Sequence, residues 1–266
     1  MSQRYCILAG VGRSGTTVMR KSFGRHPQVY YNGEENNTIQ DIVSVAHRNR
    51  HEGFRGSSHV VRKSTYLRAF RRLIDDLIWP SRMERFKNSI WLCSINPEPE
   101  FTPYLFELMP GAKMLYLVRN GIDVIASRQK YEGFKHGTFK SHCEVWKRSV
   151  RMAEWVQAHP EQAMVFRYEW LMNPEVLTQE LAKVFTFFGV KPDSVVAQNI
   201  LSNRYHPTSG GKSDAEWKQA SENERKQLLD VSLKKWQAWS LDERAMFEAE
   251  CKEGMDAMGY AWPKSA

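Results

Sequence analysis

The feature that most constrains this chain lies near its start. The apolar run Cys6-Ile7-Leu8-Ala9 leads directly into Gly10-Val11-Gly12-Arg13-Ser14-Gly15-Thr16-Thr17 and then into a helix-like segment. A buried strand, a tight glycine turn and a helix N-terminus, in that order, make a cradle for an anion. The glycines let the backbone fold back on itself, successive N–H groups point inward, and the positive end of the helix favours negative charge. The nucleotide-triphosphatase form of such a loop ends in Gly-Lys-Ser/Thr, with its lysine on the β/γ-phosphates and its hydroxyl on magnesium. Here Thr16 stands where that lysine would be, and the cation sits inside the loop at Arg13. The pattern points to phosphate binding by Gly12, Arg13, Ser14, Gly15, Thr16 and Thr17 and away from Mg-ATP chemistry.

A second anion-binding pattern lies far along the chain. Lys113-Met114-Leu115-Tyr116-Leu117-Val118 reads as a buried strand and runs into Arg119-Asn120-Gly121-Ile122-Asp123-Val124-Ile125-Ala126-Ser127. Arg119 falls at the carboxyl end of the strand and Asp123 in the first helical turn, where an acid is favoured. Ser127 follows Asp123 by one turn on the same side, so an arginine and a hydroxyl can converge on one phosphate.

These two segments carry a family resemblance. Arg13-Ser14-Gly15-Thr16-Thr17 resembles the 5′-phosphosulfate loop of sulfotransferases that use 3′-phosphoadenosine 5′-phosphosulfate (PAPS). The run from Arg119 to Ser127 resembles that family's 3′-phosphate segment, which implies that Arg119 and Ser127 grip the 3′-phosphate. The order of the motifs is that of the tyrosylprotein, carbohydrate and bacterial branch. That branch places a catalytic glutamate after a His-Pro-x-Val segment, and this chain has His26-Pro27-Gln28-Val29 followed by Gly33-Glu34-Glu35. The resemblance selects Glu35 as the base, with Glu34 the fallback. By local pattern Gly33 ends a short strand and the two acids begin a helix. A carboxylate can accept the proton of an attacking hydroxyl if burial lifts its pKa.

Three further features extend or limit the resemblance. Tyr168, in Val165-Phe166-Arg167-Tyr168-Glu169, matches a Tyr-Glu pair whose tyrosine lies at the adenine in the family. Lys212, in Ser209-Gly210-Gly211-Lys212-Ser213, matches a lysine-bearing lid over the 3′-phosphate. Many relatives also carry a Lys or His near the outlet of the third strand, where this chain has Cys93-Ser94-Ile95-Asn96-Pro97. That basic residue is absent, so either Arg13 and a cation from elsewhere, Lys63 or Arg20, carry the charge, or the activity is weak or altered.

Strand-like runs at Tyr5–Ala9, Ile90–Cys93, Met114–Val118 and Met164–Phe166 alternate with helical patterns, the mark of βαβ units. The expected architecture is α/β: one P-loop domain over residues 1–266, three layers deep, with a central, mainly parallel sheet flanked by helices. Asp193 to Lys218 reads as a long polar loop, with the lid at about 203–218. Glu222–Trp239 and Leu241–Gly254 read as helices in a closing region over 222–260.

The net charge of +8 suits a polyanionic ligand. Much of the excess is local: between His47 and Arg72, the cations Arg48, Arg50, Arg55, Arg62, Lys63, Arg68, Arg71 and Arg72 face only Glu52. In the family this stretch borders the acceptor pocket, so an acidic acceptor is expected. Phe54, Tyr66 and Phe70 are too irregular for a base-stacking platform, which argues against nucleic acid. Cys6, Cys93, Cys143 and Cys251 lie far apart and show neither metal-ligand nor disulfide spacing. With no apolar run long enough to span a membrane and no leader pattern, the expected location is cytoplasmic. The reading is a metal-independent sulfotransferase that moves a sulfonate from PAPS to a hydroxyl of a peptide tyrosine, glycan or small molecule, releasing 3′-phosphoadenosine 5′-phosphate (PAP). A non-catalytic PAP or polyanion binder and a P-loop kinase are the alternatives. The sequence leaves the acceptor and the oligomeric state open.

Overall fold

The computed structural model describes residues 5–35, 37–52, 63–78, 90–203 and 232–263. Its centre is a five-stranded sheet in which every pairing is parallel. The strands are β1 (Tyr5–Ala9), β2 (Val29–Glu35), β3 (Ile90–Ser94), β4 (Lys113–Val118) and β5 (Ala163–Arg167), in the order β2-β3-β1-β4-β5. Parallel strands must be joined by crossovers, and the helices that make them cover both faces, so the strands read as continuous apolar runs. The pleat then sorts alternate residues into two cores. Tyr5, Ile7 and Ala9 face one core together with Trp91, Cys93, Met114, Tyr116 and Val118. Cys6 and Leu8 face the other with Ile90, Leu92, Leu115 and Leu117.

The helices divide accordingly. α1 (Thr16–Phe23), α7 (Pro174–Phe188) and α8 (Ser194–Asn203) place Met19, Phe23, Leu181, Phe185, Val196 and Ile200 in the second core. The first core takes residues from α2 (Asn37–Glu52), α3 (Lys63–Ile78), α4 (Thr102–Leu108), α5 (Gly121–Lys130), α6 (Phe139–Ala158) and α9 (Leu241–Ala257). Each fully buried aliphatic or aromatic side chain is worth about 1.5–3 kcal/mol, enough to outweigh middling local propensities. The ends of the helices are specified locally. Asn120 Oδ1 caps α5 by accepting the Ile122 N–H at 2.9 Å. Asn173 and Pro174 open α7, Gly189 closes it in a left-handed conformation, and Ser240 and Glu243 form a capping box on α9.

The layout positions the site. All five strands run the same way, so β1, β2, β3, β4 and β5 deliver their following residues to one edge. The helix after β1 packs on one face and those after β4 on the other, which opens a crevice between these neighbouring strands at their carboxyl ends.

Three sequence expectations are corrected. Gly33 does not end the strand before the glutamates. β2 continues to Glu35, whose backbone pairs with Ser94, and an irregular register between Tyr31 and Glu35 absorbs the glycine. The segment after Asp193 is not loop throughout, because α8 occupies Ser194–Asn203 and buries Val196 and Ile200. The last helix runs past Gly254 to Ala257, held by Met255 in the first core. Helical structure is described at 232–237, within the expected Glu222–Trp239 helix.

Candidate functional site

The turn after β1 reverses through two left-handed residues, Arg13 at φ 82° and Gly15 at φ 93°, which bracket Ser14. A non-glycine residue at positive φ costs about 1–3 kcal/mol and persists where its surroundings enforce it. Here the Ser14 N–H donates to the Val11 carbonyl at 3.1 Å, and Gly15 stands as the residue before α1. Ser14 is fully buried, and its Oγ has no hydrogen-bond partner. A buried hydroxyl without a partner is costly and fits a site shaped to receive a ligand oxygen. Thr16 is buried and Thr17 exposed on the first turn of α1.

Gly15 cannot carry a side chain. A Cβ there would lie 2.5 Å from the Tyr168 ring in addition to the left-handed strain. Gly15→Ala is expected to lower stability by about 1–3 kcal/mol, measured as an earlier midpoint in denaturant titration.

The two anion-binding segments meet directly. Arg13 Nε donates to Ser127 Oγ at 2.9 Å, and Arg119 Nη1 donates to the Arg13 carbonyl at 3.0 Å. The Arg13 guanidinium lies 4.5 Å from the centre of the Tyr131 ring, and that of Arg119 lies 4.0 Å from the Tyr168 ring. Arg119 and Ser127, expected to grip one phosphate, both bond Arg13, Arg119 at its carbonyl and Ser127 at its Nε. Arg119 Nε is buried without a hydrogen bond and stands 4.0 Å from Asp123 Oδ2. Asp123 also pairs with Lys235, whose ammonium is pushed below its ordinary pKa mainly by burial.

The surrounding groups hold this cluster in place. The Trp146 indole donates to the Arg119 carbonyl at 3.0 Å. Glu169 Oε1 accepts the Asn120 N–H at 2.9 Å, and Oε2 accepts the Tyr260 hydroxyl at 3.3 Å. Burial raises the Glu169 pKa above the usual carboxylate value, against the lowering effect of the Asn120 hydrogen bond. Glu169 thereby ties the end of β5 to the start of α5.

Gly12 lies beneath Phe134, whose ring would be 2.8 Å from a Cβ. Arg20 is buried on α1, its Nε has no hydrogen-bond partner, and its guanidinium lies 5.9 Å from the Tyr31 ring. Glu34 and Glu35 are the last residues of β2, and Lys63 is the first of α3; of these three the structure describes the backbone. Lys212 lies outside the described residues. Sequence reasoning missed Tyr131, Lys235 and the Arg128–His142–Phe134 group beside Gly12. None of these belongs to a motif, although the aromatic pair Tyr131 and Phe134 directly after α5 was a readable signal. Among the described residues no cluster of three or more His, Cys, Asp or Glu could hold a metal ion.

The arrangement can hold a dianion at the loop and a second anion at Arg119 and Ser127. The residues fit PAPS or PAP: the orphaned Ser14 hydroxyl and Arg119 Nε, and an Arg13 that has no carboxylate partner among the described residues, are what a doubly phosphorylated nucleotide would satisfy.

Comparison with known proteins gives the chain a family and a shared fold. The family model of the Sulfotransferase family matches residues 6–194. Protein-tyrosine sulfotransferase 2 of Gallus gallus is 23% identical over 242 residues, covering 86% of this chain and 62% of that protein. Protein-tyrosine sulfotransferase of Drosophila melanogaster is 25% identical over 188 residues, covering 66% of this chain and 37% of that protein. The chain therefore spans 37% to 62% of the length of these two curated relatives. Among solved structures, the sulfotransferase domain of the Synechococcus PCC 7002 olefin synthase shares the fold with a TM-score of 0.60 at 15% identity, over 98% of this chain and 96% of that one. A mouse sulfotransferase complexed with PAP gives a TM-score of 0.52 at 11% identity, over 98% and 90%. With the family match extending over well more than half of its residues, this chain belongs to the sulfotransferase family.

Proposed function

We propose that the protein transfers a sulfonate group from PAPS to a hydroxyl-bearing acceptor. The observation that supports this reading is the knot in which Arg13 donates to Ser127 and Arg119 donates to the Arg13 carbonyl, joining the loop after β1 to the segment after β4. When bound, PAPS supplies the sulfonate: its sulfur joins the acceptor oxygen as the bond from sulfur to the 5′-phosphate oxygen breaks. Gly15, Thr16 and Thr17 would direct backbone N–H groups at the 5′-phosphate, the unpartnered Ser14 hydroxyl would meet one of its oxygens, and the N-terminus of α1 adds its positive pole. Arg13 neutralises the charge that builds on that phosphate as it leaves. Arg119 and Ser127 hold the 3′-phosphate, so the reacting end is positioned by binding energy gained away from it. Glu35 takes the proton of the acceptor hydroxyl. Tyr168 braces this arrangement, its ring against Arg119 and Gly15; we assign it to the adenine. The basic stretch between His47 and Arg72 would favour an anionic acceptor.

A second reading is binding without transfer. It is favoured by the stretch Ser94–Pro97, which carries no basic residue at the outlet of β3. In both readings PAP is expected to raise the melting temperature in the absence of metal, by an amount that grows with its concentration. ATP is expected to do so much less. Stabilisation by ATP with magnesium exceeding that by PAP would remove the donor assignment. Incubation of the protein with PAPS and a panel of phenols, acidic peptides, glycans and alcohols, read by mass detection of a sulfonated product, then separates transfer from binding alone.

A further inference from the structure

Arg128 follows Ser127 on α5, so its side chain leaves the helix about 100° around from the hydroxyl that meets Arg13. It is 8% exposed. Its Nε donates to His142 Nδ1 at 3.3 Å, the Phe134 ring centre lies 4.0 Å from the guanidinium carbon, and Nη1 stands 3.4 Å from where a Cβ on Gly12 would be. The guanidinium is thus wedged between α5, the aromatic turn after it and the entrance of the phosphate loop.

Nothing described around this cation balances it. Among the described residues no carboxylate pairs with Arg128, and the charge that acts on it is a second cation, Arg148. His142 is buried, and burial and Arg128 together hold it below the ordinary imidazole pKa. It is therefore neutral near pH 7: Nδ1 accepts from Arg128, and Nε2 carries the hydrogen and has no partner. A buried charge with only a neutral nitrogen and a ring face for company is expensive to keep. Replacing it with an apolar side chain of similar size should favour the folded state. An approaching anion would offset that cost, and in a water-poor pocket the attraction is strong.

PAPS presents three anionic centres and PAP two. On the reading proposed above, the loop N–H groups with Arg13 take one and Arg119 with Ser127 take another. The sulfonate is left, joined to the 5′-phosphate, on a chain that has no basic residue at Ser94–Pro97. We propose that Arg128 is the cation that holds the sulfonate, with its terminal nitrogens donating to the sulfonate oxygens across Gly12. Arg128 keeps its protons throughout the transfer; the acceptor's proton goes to the base on β2. The inference rests on PAPS being the donor.

The test compares PAPS and PAP binding, without acceptor, by calorimetry on the full chain and on Arg128→Met and Arg128→Lys, together with the melting temperature of each protein free of ligand. Arg128→Met is expected to weaken PAPS at least tenfold and to leave PAP within about twofold, because PAP lacks the group that Arg128 would hold. Arg128→Lys should recover most of the PAPS affinity. The unliganded Arg128→Met protein should melt at or above the parent. Equal losses for PAPS and PAP would overturn the assignment, as would a fall in melting temperature with the ratio of the two affinities unchanged. If the parent protein binds neither nucleotide, the donor reading itself fails; if it binds PAP and the PAPS-to-PAP ratio ignores Arg128, only this inference fails.

Discussion

Glu35→Gln is expected to lower turnover by about 100-fold or more while the affinity for PAP barely changes, because the substitution keeps shape and hydrogen bonding and removes only the base. Glu34→Gln should cost far less. Both residues lie at the end of β2 rather than at the start of a helix. Steady-state rates with a sulfonated product as readout, alongside PAP titrations, decide the matter. A dead Glu34→Gln with a mild Glu35→Gln moves the base by one residue, and full activity in both sends the proton elsewhere and ends this mechanism.

Arg119→Ala is expected to weaken PAP binding by about 2–4 kcal/mol, the scale for losing a charge-assisted contact in a sheltered site. From sequence alone the whole loss would be assigned to the 3′-phosphate, and a ligand without that phosphate would be unaffected. The structure changes this expectation. Arg119 also donates to the Arg13 carbonyl and stacks on Tyr168, which lies against Gly15. Removing it loosens the first loop, so adenosine 5′-phosphosulfate should lose some affinity too, though less than PAP. Calorimetric titration of both ligands reads the difference. Equal losses would show that Arg119 serves mainly to brace the loop.

What could be read from the chain was the chemistry that is local in sequence. Gly15 must be small because a left-handed turn and the Tyr168 ring both exclude a side chain, and such a requirement leaves a mark in the motif itself. Asn120 and Asn173 announce helix starts by the same logic. The alternation that sorts Ile7 from Leu8 was not legible, since both are apolar and the sheet is covered on both faces. Gly33 misled because a glycine in a strand interior and one that ends a strand look alike until the partner strand is known. Lys235, Trp146 and Tyr260 reach the site only through packing of α6 and of the C-terminal segment. Their partners are decided by topology rather than by neighbours in the chain.

The Arg13–Ser127 and Arg119–Arg13 hydrogen bonds join stretches of chain that lie far apart in sequence. On the donor reading proposed above, a site so tied would work as a gauge of length. The spacing between its two anion seats is set before any ligand arrives, so a nucleotide whose phosphates match that spacing engages the second seat at the high local concentration created by the first. A nucleotide with one phosphate, or with two on the same end, forgoes that advantage entirely. Under that reading, discrimination against a nucleoside triphosphate would rest on where the negative charge sits rather than on how much of it there is.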